Sequence, residues 1–256
     1  MIMAKTIRTT NVCQKNIVDI LHGMAGRLSL WQIWQDFIML SAYSVSNAVD
    51  KKHFEEREKS FTSIAAKYSH AELEKFASML GNVVIGLDKN PDQDFLGDLF
   101  MNLNLGTEWK GQFFTPYSVC RCMAGMLMSD DVPGKIAEKG WVSVNDPACG
   151  AGALLIAYAN ECQRRHINYQ QSVLFVAQDI DQLAGMMCYI QLSLLGCPGY
   201  VAIQNTLRNP VTAADDRGLI PVDDSGNVWY TPMYFTEYWK MRSKISVIDM
   251  ILKKAG

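Results

Sequence analysis

The sequence has no surplus of charge of either sign. Its 24 lysines and arginines stand against 26 aspartates and glutamates, a formal net charge of -2. No global field therefore draws the chain to nucleic acid, and a DNA partner would need a local basic face. Arg121 with Arg164 and Arg165, or Lys240 with Arg242 and Lys244, could form one, or could simply be solvated surface charge. Zinc-spaced cysteines are also missing. Seven cysteines, an odd number, make no disulfide framework, and none stands in a C-x-x-C pair. Cys120 and Cys122 would point in different directions on a helix. We read all seven as reduced, mostly buried thiols of a cytoplasmic protein with no metal centre. No apolar run follows Lys5 and Arg8 as a signal peptide would require. The most hydrophobic stretch, Leu28 to Tyr43, is interrupted by Gln32, Gln35 and Asp36 and is too short and polar to span a bilayer. Internal repeats and low-complexity segments are absent, and the expectation is a soluble protein with no membrane partner.

What is present is an ordinary globular composition, 49% hydrophobic and 20% charged over 256 residues, enough for one large domain or two modest ones. The first hundred residues read as successive helices. Asn11 to Gly23 is apolar at Val12, Ile17, Ile20 and Leu21. Ser29 can cap a helix carrying Leu30, Ile33, Trp34, Phe37, Ile38 and Tyr43. A charged helix is expected from Asp50 to Tyr68. Ser69 and Glu72 form a capping box before Leu73, Phe76, Met79 and Leu80. Asn90-Pro91 marks a turn, and Asp94 to Leu103 a further helix. Trp31, Trp34 and Phe37 could suggest a base-stacking platform, but their helical spacing suits core.

After Gly106 the pattern changes. Trp141 to Asn145, Ser172 to Ala177 and Tyr200 to Ile203 read as strands, with helices over Ala151 to Arg165 and Asp181 to Leu195. Alternating strand and helix predict a parallel sheet with crossover helices. The expected organisation is a helical N-terminal domain over 1–106 and an α/β, Rossmann-like domain over 107–256, the boundary falling between Leu105 and Lys110.

The strongest local signal is Asp146-Pro147-Ala148-Cys149-Gly150-Ala151-Gly152, directly after a strand and before a helix. Its glycines permit a tight turn and close ligand approach, and the helix N-terminus behind them offers free N–H groups to an anion. Asp146 could hold a cationic amine or fix the turn. Gln178-Asp179-Ile180-Asp181 ends the next strand, where an acidic side chain can accept hydrogen bonds from ribose hydroxyls. Asp179 is placed for that, and Asp181 could cap the following helix. Asn205-Thr206-Leu207 ends the third strand, with Asn205 able to meet an adenine edge. Three adjacent strand tips form the crevice where such sheets bind ligands.

Gly111-Gln112-Phe113-Phe114-Thr115-Pro116, then the Asp146–Gly152 turn, then Gln178–Asp181 and Asn205–Leu207, resemble in order the modification subunits of type I restriction systems and related phage and plasmid adenine-N6 DNA methylases. The resemblance runs from about Asp94 to Leu207. It implies a Rossmann-like S-adenosylmethionine (SAM)-dependent methyltransferase sheet with SAM as cofactor and adenine in DNA as substrate. Phe114, Thr115 and Pro116 would lie against the methionine part of SAM. Asp146, Ala148 and Gly150 would form the cofactor turn, Asp179 would bind the ribose, and Asn205 would contact the adenine ring.

Such proteins next show an apolar strand ending in Asn-Pro-Pro followed by Phe or Tyr, which holds the target amine and stacks on the flipped base. The tetrapeptide does not occur here. Asn209-Pro210-Val211-Thr212 follows too closely on the third strand and lacks the aromatic. Thr231-Pro232-Met233-Tyr234, after the apolar Val228-Trp229-Tyr230, matches better in position. It would make Thr231, Pro232 and Tyr234 the catalytic remnant, or else it is an unrelated hairpin or loop. Beyond Tyr238 one helix is expected, Lys240 to Lys254, so a truncated sheet is expected and target recognition would fall to a partner subunit. Two functions follow: methyl transfer from SAM to adenine N6 in DNA, or a catalytically degenerate homologue acting as a SAM-binding or protein-interaction module in regulation or antirestriction.

Overall fold

A computed structural model describes residues 11–103, 113–215, 217–222 and 226–255. The boundary expected at Leu105 to Lys110, together with Gly111 and Gln112 of the first motif, lies outside them. Five helices come first: α1 (Val12–Met24), α2 (Leu30–Val49), α3 (Phe54–Ala65), α4 (His70–Lys89) and α5 (Phe95–Asn102). Then follow α6 (Tyr117–Leu127), α7 (Val132–Lys139), β1 (Val142–Asp146), α8 (Ala153–Arg164), a single turn α9 (Tyr169–Ser172) and β2 (Val173–Asp179). The chain continues through α10 (Gln182–Leu194), β3 (Gly199–Ile203), β4 (Val228–Tyr230), a 3-10 turn over Pro232–Phe235, and α11 (Glu237–Ala255).

Side-chain caps set the early helix starts. Asn11 accepts from the N–H groups of Cys13 and Gln14, Ser29 from that of Gln32, and Asp94 from that of Gly97. Ser69 and Glu72 close the full capping box. Trp34 and Phe37 are buried, as helical spacing suggested. Cys122 is exposed and the other six cysteines are buried and free, with Cys120 and Cys122 on different faces of α6.

The described strands form one sheet in the order β1-β2-β3-β4. β1, β2 and β3 are parallel, so Asp146, Asp179 and Ile203 end at the same side; β4 runs antiparallel to β3 along its outer edge. One face carries Phe175, Ala177, Val201 and Trp229 into a core shared with α8, α10 and the N-terminal helices. The other carries Leu174, Val176, Tyr200, Ala202 and Tyr230 against Leu219 and Trp239 of α11. β2 is buried on both faces while β1 is half-buried on one and exposed on the other, which explains the continuous apolar run of β2 and the alternation of β1.

The helical segment and the sheet are also joined by buried polar contacts. Arg57 of α3 donates to Asp50 at 2.7 Å and to the Val228 carbonyl at 2.8 Å, and its guanidinium lies 4.0 Å from the Trp229 ring centre. Gln191 of α10 donates to Asp94 and to the Ala151 carbonyl, both at 2.8 Å, and accepts from the Leu96 N–H. Burial pushes the Asp94 carboxyl up to about 6, against the two hydrogen bonds from Gln191 and Gly97 that favour its ionised form. A carboxyl raised in the fold is stabilising only while protonated. Its contribution is complete below the unfolded value near 4 and is lost as pH rises through about 6. The difference in unfolding free energy between Asp94→Asn and the wild type, whatever its offset, should therefore grow in the variant's favour by on the order of 2–3 kcal/mol from pH 4 to pH 7. Urea titrations across that range measure it, and parallel curves would refute the raised value.

Candidate cofactor site

The tips of the three parallel strands are tied to one another. The Asp146 carboxylate accepts from the Ala148 N–H at 3.1 Å, closing the first turn on itself. The Cys149 N–H donates to the Gln178 carbonyl, and the Gly150 N–H to Asp179 at 2.8 Å. The Gln204 N–H donates to the Asp179 carbonyl, and the Thr206 hydroxyl to the Pro147 carbonyl. Gln178 reaches across to the backbone of Gln204, Asn209 and Val211. Gly150 and Gly152 hold φ of 54° and 95°, a region costly for any residue with a Cβ. A Cβ on Gly150 would also lie 3.1 Å from the Phe114 ring, and one on Gly152 2.8 Å from the Cys188 sulfur.

A cleft of about 210 Å³ opens at the β1 tip, walled by Phe113, Phe114, Thr115, Met123, Asp146 and the turn from Ala148 to Leu154. Phe114 is held from behind by Phe100, ring centres 5.4 Å apart. The first turn of α8 faces the cleft at Ala153 and Leu154, and its N-cap, Gly152, brings no side-chain cap. That end of α8 therefore offers N–H groups and the positive end of the helix dipole. Burial raises the Asp146 carboxyl, and the neighbouring Asp179 raises it further. Cys149, also in the wall, is a buried thiol held well above its usual value by its contact with Cys188, so it stays neutral.

Of the residues expected to hold a cofactor, Phe114, Thr115, Asp146, Ala148 and Gly150 come together in this wall. Pro116, Asp179 and Asn205 are not among its lining residues. Pro116 is the N-cap of α6. Asp179 spends one oxygen on the Gly150 N–H and the other on the Asp181 N–H, so its carboxylate is a brace between two turns. Asn205 caps its own loop through the N–H groups of Leu207 and Arg208. Met123 entered the wall unforeseen because α6 itself was not read from the sequence.

The segment Thr231–Tyr234 is elsewhere. The Thr231 hydroxyl donates to the Cys197 carbonyl at 2.7 Å and accepts from the Gly199 N–H at 3.0 Å. Gly199 begins β3, whereas the cleft lies at the strands' far ends. Four residues of strand separate the two ends, roughly 13 Å at about 3.3 Å per residue. Tyr234 donates to the Leu219 carbonyl and packs on Tyr230, ring centres 4.7 Å apart. Pro232 opens the 3-10 turn. Thr231, Pro232 and Tyr234 are thus not brought to this cleft: β4 adds antiparallel at the β3 edge, and its exit packs against the start of β3 and Leu219.

The two basic groups are also mostly satisfied. Arg121 and Arg164 face Asp92, Arg164 and Arg165 share Glu161, and Lys240 pairs with Glu237. Arg242 donates to the carbonyls of Gln171 and Gly140. Among the described residues no group of three or more His, Cys, Asp or Glu could hold a metal ion, and no helix is long and apolar enough to cross a membrane.

The model of the N-6 DNA methylase family matches residues 92–243, a span that begins at the Asp92 loop and contains every wall of the cleft. The chain belongs to the N-6 DNA methylase family. No curated protein matches this N-6 DNA methylase homologue. Among solved structures it is similar to a candidate class I S-adenosylmethionine-dependent methyltransferase from Listeria monocytogenes. The identity is 18% and the TM-score 0.40, covering 90% of this chain and 70% of that one.

SAM carries an ammonium and a carboxylate at its methionine end. The half-buried Asp146 carboxylate and the uncapped start of α8 suit those two charges, while the adenosine end finds Asp179 engaged by backbone. The residues therefore fit the methionine end of SAM.

Two stability measurements follow. Thr231→Val should cost about 1–3 kcal/mol by leaving the Gly199 N–H and Cys197 carbonyl unpaired in the interior. Asp179→Ala should cost a similar amount, on the order of 1–3 kcal/mol, with no ligand present. Chemical denaturation reads both; an unaffected midpoint in either variant would contradict the bracing role given to that side chain.

Proposed function

We propose that this methylase homologue binds SAM at the β1 tip by its methionine end and lacks, among its described residues, the group that positions a target base. The uncapped α8 N-terminus beside the Asp146 carboxylate is the observation that carries the reading. In it, Asp146 pairs with the ammonium and the first N–H groups of α8 receive the carboxylate. Phe114 and Thr115 shield that end from water. SAM when bound supplies an activated methyl group; what this chain adds is placement.

Adenine N6 in DNA is the proposed methyl acceptor on the strength of family membership. A partner subunit would then supply the amine-holding and base-stacking groups that Thr231–Tyr234 does not provide. A protein-interaction role in regulation or antirestriction is the second reading, favoured by the structural use of Thr231 and Tyr234.

Calorimetric titration with SAM tests the site. The wild type should bind, and Asp146→Ala should bind about tenfold or more weakly, the usual loss for an unmade charge-assisted hydrogen bond. Because the Asp146 carboxyl is raised, affinity should fall as pH drops toward the acid side, at a pH above the ordinary carboxylate range. Saturating binding unaffected by Asp146→Ala would place the cofactor elsewhere. Labelled methyl transfer to adenine-rich DNA by the chain alone would refute the missing base-positioning group.

A further inference from the structure

The helix α11 is docked by one side only. Trp239 and Ser246 are buried against the body, with the Trp239 indole donating to the Gln170 carbonyl. The opposite side is apolar and bare: Tyr238, Met241, Ile245, Ile248 and Leu252 are 47%, 65%, 49%, 55% and 65% exposed. Their spacing is three, four, three, four. That is the alternation of a and d positions in a heptad, and it places all five on one narrow seam of the helix. Isolated exposed leucines are common on protein surfaces, but five large side chains in a heptad line, touched only where the Arg242 guanidinium lies over the Tyr238 ring and donates to its hydroxyl, are not. Val247 and Ile251, 42% and 61% exposed, widen the apolar surface on one flank, but the heptad line itself fits a second helix better than it fits a sheet, whose side chains repeat every two residues.

The charges beside the seam indicate which helix. With Tyr238, Ile245 and Leu252 as a positions, Glu237 and Lys244 fall at g, and Arg242 and Asp249 at e. In a parallel, in-register pair each g residue meets the e residue five positions on in the other helix. Glu237 then faces Arg242 of the other copy and Lys244 faces Asp249, so both kinds of contact join opposite charges, twice over by symmetry. An antiparallel pair that still buries Leu252 sets Lys244 against Lys244 and Asp249 against Asp249, like charge against like. Lys244 and Asp249 are both exposed, and Arg242 keeps its carbonyl partners at Gly140 and Gln171 while its outer edge lies on Tyr238.

We propose that the occupant is α11 of a second copy of this chain, forming a parallel two-stranded coiled coil and an isologous dimer. Arg242 binds the body at Gly140, just before β1 starts, whereas the cleft lies at the end of β1. The dimer therefore leaves both clefts open. The inference does not depend on the cofactor reading.

Sedimentation equilibrium of the full chain tests it, from low micromolar to near-millimolar concentration. The wild type should move from monomer to dimer mass. Replacing Ile245→Lys together with Ile248→Lys should keep the protein monomeric throughout, with unchanged far-ultraviolet circular dichroism because both side chains face solvent. Lys244→Glu should weaken association several-fold, and adding Asp249→Lys should restore it. On a Cys122→Ser background, Ile245→Cys should cross-link to itself under copper phenanthroline, which removes two electrons and two protons per disulfide; an antiparallel pair would hold the two sulfurs apart. A wild type that stays monomeric at every concentration overturns the proposal. So do association untouched by the double lysine variant and a charge exchange that restores nothing.

Discussion

Gln191 sits where three stretches of chain meet, and its amide is fully committed to holding them. It is completely buried on α10, yet its nitrogen donates to both Asp94 and the Ala151 carbonyl while its oxygen accepts from the Leu96 N–H. A buried amide is costly unless its partners are all in place. The contact therefore fixes the start of α5, the glycine turn and the C-terminal part of α10 in one arrangement. Ala151 lies between the two glycines whose left-handed backbone shapes the cleft. The N-terminal helices are thus part of what positions the turn.

The two acids at the strand tips divide the work differently from the resemblance. Asp179 has both oxygens in backbone bonds and acts as a brace, so its charge is balanced by N–H groups it cannot release cheaply. Asp146 makes one backbone contact, lines the cleft and is raised by burial. A half-buried carboxylate with spare acceptor capacity beside an uncapped helix start is the more available partner for a ligand cation. The carboxylate with acceptor capacity to spare therefore stands on the first strand rather than on the second.

These features were unequally legible in the sequence. Capping side chains at Ser29 and Ser69 announce helices because the signal lies within four residues. The apolar run of β2 announces a strand buried on both faces. The glycine turn after β1 was also readable, since positive φ and close packing both demand glycine there. α6 and α7 were not read: α6 mixes Cys, Gly and Met with Arg121, and α7 is 8 residues long with Pro133 and Gly134 inside it. The direction of β4 was unreadable for another reason. A three-residue strand carries no sign of which neighbour it pairs with, and Thr231 looks the same in sequence whether it faces a ligand or ties Gly199.

That direction decides what the cleft can become. In open α/β sheets a ligand crevice forms where the strand order reverses, because the connections leave the two central strands on opposite faces. Here the described order runs from β1 to β4 without reversal, and the sheet extends at β3. β1 is left with a free edge among the described residues, and the cleft beside it is bounded by α6, Phe114 and the turn on one flank only. Such a cleft, about 210 Å³, is below the roughly 300–1,000 Å³ usual for a complete small-molecule site. Methyl transfer needs donor and acceptor held within near-contact distance from two sides. On the proposed reading this chain would build one side, and the geometry of the sheet directs the search for the other to the open flank of β1.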